Sequence, residues 1–299
     1  MNILVTGSHG LVGAALIPFL TTQGHTVKRL VRSVNPTAHE GITWDPPRRG
    51  PDPGALIGID AVVHLAGESI AGGRWNAAKK QRILDSRIKG TLLLSDALVK
   101  MSVPPKVFIS ASAIGFYGNR GAEVLREDSG AGQGFLPDVC RQWEAAAQAA
   151  TQKGIRVVNL RTGMVLSPQG GALAKMLLPF KLGLGGKIGS GQQYMSWIAL
   201  DDMLGAILFA LQTDSLRGPV NAVTPRPVTN IVYTKTLGKV LSRPTLFPMP
   251  AFAARLVLGE MADALLLASA RVEPTQLQNK GYRFRYSELE GALRHLLGK

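Results

Sequence analysis

The chain has 299 residues, 45% of them hydrophobic, and a net charge of +14. This composition excludes a disordered chain, and no apolar run reaches the length of a membrane span. The basic residues are scattered and not interleaved with stacking aromatics, so we expect a small-molecule substrate, with neither nucleic acid nor a membrane as a partner. The single cysteine, Cys140, excludes an intrachain disulfide, and the N-terminus begins on a predicted strand with no signal peptide. Together these features predict a cytoplasmic protein.

The first thirty residues follow the order strand, glycine-rich turn, helix and second strand. The turn contains Gly7, Gly10 and Gly13, and the helix begins at Leu11 and Val12. Gly7 permits a tight turn, Gly10 lets the backbone approach a pyrophosphate, and Gly13 lets the helix pack closely on the strand. The helix N-terminus offers N–H groups and a positive dipole end to phosphate. This spacing indicates a dinucleotide-binding unit rather than a glycine-rich connector without a ligand.

Strand and helix patterns alternate through the first half and predict an α/β fold, a Rossmann-type doubly wound parallel sheet with helices on both faces. Residues 35–56, rich in proline and glycine, are predicted to form loops. The further predicted elements are strands at 59–65, 106–110 and 155–161, and helices at 75–100, 138–153, 201–212, 228–241 and 250–267. We therefore divide the chain into a cofactor-binding domain, 1–166, and a smaller C-terminal α/β substrate lobe, 167–299, whose strands can return to the main sheet.

The end of the second strand indicates which dinucleotide binds. An Asp or Glu there would hold the ribose of NAD, whereas this chain has Arg32 and Ser33. A guanidinium suits the 2′-phosphate of NADP, and the serine adds a hydroxyl, so we predict NADP(H). The alternative for Arg32 is a solvated surface charge. After the next strand, Leu65, Ala66 and Gly67 are predicted to lie against the adenosine side of the cofactor.

Motifs along nearly the whole chain carry a resemblance to a known family. They are His64–Glu68, Arg74–Trp75, Asp85–Arg87, Phe108–Gly118, Trp143–Glu144, Arg161–Leu166, Leu182–Gly186 and Trp197–Ile198. The chain resembles the extended short-chain dehydrogenase/reductases of the NAD-dependent epimerase/dehydratase type. More closely, it resembles an atypical branch usually called the epimerase family, which carries a C-terminal domain of unknown function. The resemblance implies a nucleotide-sugar epimerase type of protein, an oxidoreductase or isomerase that binds NADP(H).

The resemblance also shows where this chain departs from the family pattern. Ser112 falls at the position of the family's substrate-orienting serine, and Ser110 precedes it on the same strand as a predicted cofactor contact. Leu136 and Cys140 occupy the positions of the catalytic tyrosine and lysine, so we expect both beside the nicotinamide without a proton relay. Arg87 replaces an asparagine on the long helix. Its guanidinium could contact phosphate or ribose, or form a helix-surface charge.

Three residues are candidates for the missing acid or base: Ser112, Tyr117 and Glu68. Tyr117 could equally be a core aromatic, and Glu68 could be ion-paired to Arg74 or Arg87. No pattern indicates a metal site. Two functions therefore remain open: an oxidoreductase or epimerase acting on a small polar substrate, and a catalytically weak or inactive NADP-binding sensor or interaction protein. The oligomeric state is not predicted.

Overall fold

The computed structural model describes residues 1–32, 41–46 and 48–299. The predicted cofactor contact Ser33 lies outside these residues. The strands in chain order are β1 (Asn2–Thr6), β2 (Thr26–Arg32), β3 (Ile42–Trp44), β4 (Ala61–His64), β5 (Val107–Ala113), β6 (Val124–Leu125), β7 (Arg156–Thr162), β8 (Met164–Leu166), β9 (Tyr194–Met195), β10 (Trp197–Ala199), β11 (Gly218–Ala222), β12 (Val228–Thr229) and β13 (Arg271–Val272).

The helices surround these strands. In chain order they are α1 (Leu11–Thr22), α2 (Ala77–Val99), α3 (Phe135–Gln148), α4 (Gly171–Lys181), α5 (Leu200–Gln212), α6 (Asn230–Leu241), α7 (Ala251–Leu258), α8 (Thr275–Asn279) and α9 (Leu289–Leu297). A π-helical turn, Ala262–Leu267, follows α7. Asn76 caps α2, because its side-chain oxygen accepts from the N–H of Lys79 at 2.8 Å.

Seven parallel strands form the main sheet, in the order β11-β7-β5-β4-β1-β2-β3. The direction of winding reverses between β1 and β4, which pair with Thr6 opposite His64. In open α/β sheets, ligands bind in the crevice outside the carboxyl ends of the strands at such a switch point. The turn that follows β1 and the segment that follows β4 therefore flank the expected binding crevice.

Two apolar layers cover the sheet. On one face, α1 and α5 pack on fully buried strand residues such as Val5, Val63 and Ile109. On the other face, α2 and the region after α3 pack on Leu4, Val62 and Phe108. Strands buried on both faces read as continuous apolar runs, which is why the sequence signal for this sheet is strong. A third cluster joins α4, α6 and α9 in the C-terminal part of the chain.

The fold class is as predicted, and two local predictions are wrong. Residues 35–56 are not all loop, because Ile42–Trp44 adds the edge strand β3 to β2. The helix predicted at 250–267 breaks at Gly259, whose φ of +62° cannot continue a right-handed helix and is tolerated because glycine has no Cβ. The strand β11 returns from the C-terminal half to the edge of the main sheet beside β7. The division of the chain at residue 166 stays a prediction.

Candidate functional site

The glycine-rich turn after β1 is closed on two sides and open on the third. Gly7 has a φ of +68°, and a Cβ there would lie 2.7 Å from the backbone of Leu65. A Cβ at Gly13 would lie 2.2 Å from the carbonyl oxygen of Gly7, so α1 packs closely on the turn. At Gly10 a Cβ would meet only that carbonyl oxygen, at 3.3 Å. The open side lies at the N-terminus of α1, where backbone N–H groups and the helix dipole suit a phosphate.

A threonine joins the two sides of the crevice. The Thr6 hydroxyl oxygen accepts from the backbone N–H groups of Leu65 and Ala66, both at 3.1 Å. The ring of His64 lies between the hydroxyls of Thr6, at 2.7 Å, and Thr91, at 3.0 Å. Burial lowers the pKa of His64 to about 4. The histidine is therefore a neutral core residue that fixes the shape of the crevice.

The carboxylate of Glu68 lies in a cluster of cations. It accepts a 2.5 Å hydrogen bond from Lys79, and Arg82 lies 3.9 Å away. The hydrogen bond from Lys79 holds the pKa of Glu68 below its usual range, and the charges of Arg82 and Arg32 act in the same direction. A carboxylate stabilised in this way is a weak base. Arg74 and Arg87 were the ion-pair partners expected from the sequence, whereas the carboxylate pairs with Lys79 and Arg82.

Ser112 belongs to a buried polar network. Its hydroxyl donates to Oε1 of Glu144 at 2.7 Å. Arg161 binds the same carboxylate through Nε at 2.8 Å and through Nη2 at 2.9 Å. The side chains of Arg161 and Glu144 are 4% and 12% exposed, so little water competes with this bidentate pair. The hydroxyl oxygen of Ser112 keeps its lone pairs for a further donor.

Tyr117 lies in the core rather than at the crevice. The residue is fully buried. Its hydroxyl accepts from Nη1 of Arg161 at 2.9 Å and lies 2.7 Å from Oδ1 of Asn221, to which it can donate. Burial raises the pKa of Tyr117. These contacts favour the interpretation of Tyr117 as a core aromatic over its interpretation as a catalytic group.

The residues at the positions of the family's tyrosine and lysine do lie together. A Cβ at Gly115, just after β5, would be 3.4 Å from Cβ of Leu136 and 3.8 Å from Sγ of Cys140. Burial raises the pKa of the Cys140 thiol to about 12, so the thiol is neutral. Ser110 is also buried, and its hydroxyl lies 3.4 Å from the carbonyl oxygen of Ala111. None of these three side chains offers a titrating proton near neutral pH.

Sequence reasoning missed the carboxylate that Ser112 contacts. Glu144 follows Leu136 and Cys140 at intervals of four residues, so the three side chains share one face of α3. That spacing could have indicated Glu144 as a site residue. Its partner Arg161 lies on β7 and is brought to α3 only by the fold.

Two kinds of feature are absent from residues 1–32, 41–46 and 48–299. Within them, no three His, Cys, Asp or Glu side chains come close enough to hold a metal ion. None of the helices in the same ranges has both the length and the apolar character that crossing a bilayer requires.

Comparisons with known proteins agree with this geometry. A family profile described as the NAD dependent epimerase/dehydratase family matches residues 3–222, and a second, described as a domain of unknown function (DUF1731), matches residues 249–296. The chain therefore belongs to the NAD dependent epimerase/dehydratase family and has its dinucleotide-binding fold.

Its relatives within that family are named epimerase family proteins. The chain is 44% identical to the epimerase family protein Mb2239 of Mycobacterium bovis, across 97% of this chain and 96% of the relative. It is 35% identical to the human epimerase family protein SDR39U1, across 99% of this chain and all of the relative. A crystal structure of human SDR39U1 (isoform 2) with NADPH superposes with a TM-score of 0.92 and covers 100% of both chains.

Proposed function

We propose that this chain binds NADP(H) in the crevice between β1 and β4 and acts as an oxidoreductase or epimerase on a small polar substrate. The observation that carries the proposal is the turn at Gly10, which opens at the N-terminus of α1 while backbone atoms close in on Gly7 and Gly13. The NADPH in the human relative's crystal structure supports the same cofactor here. The resemblance to nucleotide-sugar epimerases supports the reaction class.

Each part of the dinucleotide has a group suited to it. The N–H groups at Leu11 and Val12, in the first turn of α1, are suited to the diphosphate. Arg32 ends β2, where its donor fork suits the 2′-phosphate of NADP, and Ser33 stays a predicted contact. Lys79 and Arg82 add positive charge to the same side of the crevice. When bound, the nicotinamide would supply or accept a hydride.

The proton of such a reaction has one well-placed candidate. Ser112 directs its own proton to Glu144, so its oxygen is an acceptor for a substrate hydroxyl. Ser112 Oγ would therefore orient a substrate hydroxyl, while Glu144 stays the counterion of Arg161. Leu136 has no proton to give, and Cys140 holds its proton to about pH 12. Glu68 and Tyr117 are the weaker candidates, because only Ser112 stands at a position where the resemblance implies a catalytic group.

A second candidate function rests on Leu136 and Cys140. Because Leu136 and Cys140 stand where a proton relay would act, the chain could bind NADP(H) as a catalytically weak or inactive sensor or interaction protein. Both functions require the cofactor, and they differ in turnover. For both we keep the expectation of a small-molecule ligand, of no nucleic-acid or membrane partner, and of a cytoplasmic location.

Calorimetric titration with NADPH and with NADH tests which cofactor the chain prefers. We expect a preference for NADPH of about 10- to 100-fold, the worth of one charge-assisted contact. Arg32→Asp should abolish the preference. Lys28→Asp, an exposed change on the same strand at the far end from the crevice, should leave it intact. Equal affinities in the wild type, or an unchanged preference in Arg32→Asp, would contradict the proposal.

A panel of carbonyl and hydroxyl compounds screened for NADPH consumption or NADP reduction tests the reaction. With an active compound, Ser112→Ala should lower kcat by about 10² to 10⁴. Glu68→Gln should change mainly the KM for the cofactor, because it disturbs the cations around the carboxylate. Tyr117→Phe should lower stability. If Ser112→Ala turns over at the wild-type rate, the assignment of Ser112 is wrong. If NADPH binds tightly and no compound reacts, the sensor function is favoured.

A further inference from the structure

The guanidinium of Arg87 lies at the carboxyl edge of the sheet among neutral groups. Its Nη1 donates to the carbonyl oxygens of Glu68 at 2.9 Å and of Ile83 at 3.3 Å. Its Cζ lies 5.0 Å from the centre of the Trp143 ring. In the part of the chain that the structure describes, every contact found for this guanidinium is with a carbonyl oxygen or an aromatic ring. The Glu68 carboxylate is bonded to Lys79 instead.

This arrangement leaves a positive charge that the protein does not balance locally. Burial lowers the pKa of Arg87, and the nearby carboxylate of Glu68 offsets this effect only in part. Arginine nevertheless keeps its proton in proteins. A partly buried cation of this kind is costly unless an anion or several acceptor oxygens approach it. The remaining N–H donors of the guanidinium suit a ligand rich in acceptor oxygens.

The free side of the guanidinium borders the crevice. A Cβ added to Gly67 would lie 3.3 Å from Cζ of Arg87 and 3.4 Å from both terminal nitrogens. Gly67 is itself exposed and ends the predicted adenosine contact Leu65–Gly67, and the guanidinium beside it extends from there towards Trp143 on α3, the helix that carries Cys140. A ligand lying along this backbone would meet the planar fork of Arg87, which matches phosphate and paired hydroxyl oxygens.

The small residue at position 140 on α3 explains how the guanidinium of Arg87, which comes from α2, fits in this site. Cys140 and Trp143 are three residues apart on α3 and share a face, and the Trp143 ring is the one that Arg87 covers. The thiol is small, and its raised pKa keeps it neutral. A lysine at this position would bring a second positive charge towards the guanidinium, and like charges in one site disfavour each other. The small neutral side chain of Cys140 therefore leaves room for Arg87.

We infer that Arg87 binds phosphate and ribose oxygens in the nicotinamide half of NADP(H), supplying from α2 the positive charge that position 140 on α3 lacks. The two departures from the family pattern, arginine for asparagine and cysteine for lysine, then form one compensating exchange. The inference rests on the proposed function, because it requires the dinucleotide in the crevice. The adenosine half, with its 2′-phosphate, lies towards Arg32 and does not depend on Arg87.

Two ligands test this inference in one set of variants. NADPH contains both halves of the dinucleotide, whereas 2′,5′-ADP contains only the adenosine half with its 2′-phosphate. Measured by calorimetry, Arg87→Met should lower the affinity for NADPH by about 10- to 100-fold and change the affinity for 2′,5′-ADP by less than about twofold. Lys89→Met, an exposed change two residues further along α2, is the control and should leave both affinities unchanged.

A double variant tests the exchange itself. Cys140→Lys alone should lower the affinity for NADPH, because two cations then share the site. Arg87→Asn alone should also lower that affinity, because no cation remains there. The Arg87→Asn/Cys140→Lys double variant should bind NADPH more tightly than either single variant, and thermal melting checks that all three are folded. The inference would be overturned by an Arg87→Met protein that keeps the wild-type affinity for NADPH. It would also be overturned if the affinities of that protein for 2′,5′-ADP and NADPH fell by the same factor. A wild-type chain that binds neither 2′,5′-ADP nor NADPH would instead overturn the proposed function.

Discussion

The hydroxyl of Ser112 on β5 and the carboxylate of Glu144 on α3 are joined by a 2.7 Å hydrogen bond across 32 residues of sequence. The carboxylate is held in turn by Arg161 on β7, so a strand, a helix and a second strand meet at one buried charge pair. The serine that resembles a catalytic group is thus oriented by a pair that also stabilises the fold.

Glu144→Ala should be strongly destabilising. It leaves the buried guanidinium of Arg161 without its counterion, and breaking a buried pair from one side typically costs about 3–5 kcal/mol. The free energy of unfolding in urea measures the loss. Arg141→Ala, which breaks only an exposed pair with Asp138 on the same helix, should change that free energy by no more than about 0.5 kcal/mol. Equal effects of the two changes would show that the Glu144–Arg161 pair does not stabilise the fold.

His64 should make the protein less stable below neutral pH. Its pKa is about 4 in the folded chain and about 6.5 when exposed, so the unfolded state takes up the proton first. The stability that comes from the neutral ring is complete above pH 6.5 and is lost as the pH falls towards 4, by about 3 kcal/mol in total. Thermal melting from pH 8 to 4 should therefore show a steeper decline in the wild type than in His64→Phe. His9→Gln, at an exposed histidine, should keep the wild-type slope.

Two glycines of the same turn should respond differently to valine. Gly10→Val should leave a folded protein that no longer binds NADPH, because the side chain would enter the open side of the turn. Gly13→Val should impair folding itself, because even its Cβ would lie 2.2 Å from the Gly7 carbonyl oxygen. Circular dichroism and NADPH fluorescence separate the two effects. A folded Gly10→Val protein with normal cofactor affinity would mean that the pyrophosphate lies elsewhere.

The sheet could be predicted because its signals are local. Each central strand is a short apolar run, and the glycine turn after β1 follows known steric rules. The edge strand β3 has only three residues, Ile42–Trp44, in a proline- and glycine-rich stretch, so its pairing with β2 is decided by tertiary contacts. Likewise the break at Gly259 depends on a backbone conformation that the helical pattern of the surrounding apolar residues conceals.

The site was predictable only in outline. The glycines and the family resemblance indicate the crevice, and the placement of Leu136 and Cys140 beside the nicotinamide stays a prediction. Ion-pair partners are chosen by three-dimensional proximity, and the sequence offered too many cations near Glu68 to single out Lys79, which is 11 residues away. The pairing of Glu144 with Arg161 requires α3 to be placed over β7, which no spacing rule supplies.

The position of β11 bears on how the chain folds during synthesis. Residues 218–222 form the last strand of the main sheet, beside β7, although most of that sheet is complete by residue 162. Until residue 212 has left the ribosome, α5 cannot cover the apolar face on which it packs, and until residue 222 has left it, β7 exposes an unpaired edge. Open strand edges and uncovered apolar faces are the features that make nascent chains aggregate. Chaperone contacts with the growing chain should therefore concentrate in the interval when residues 163–222 are being made.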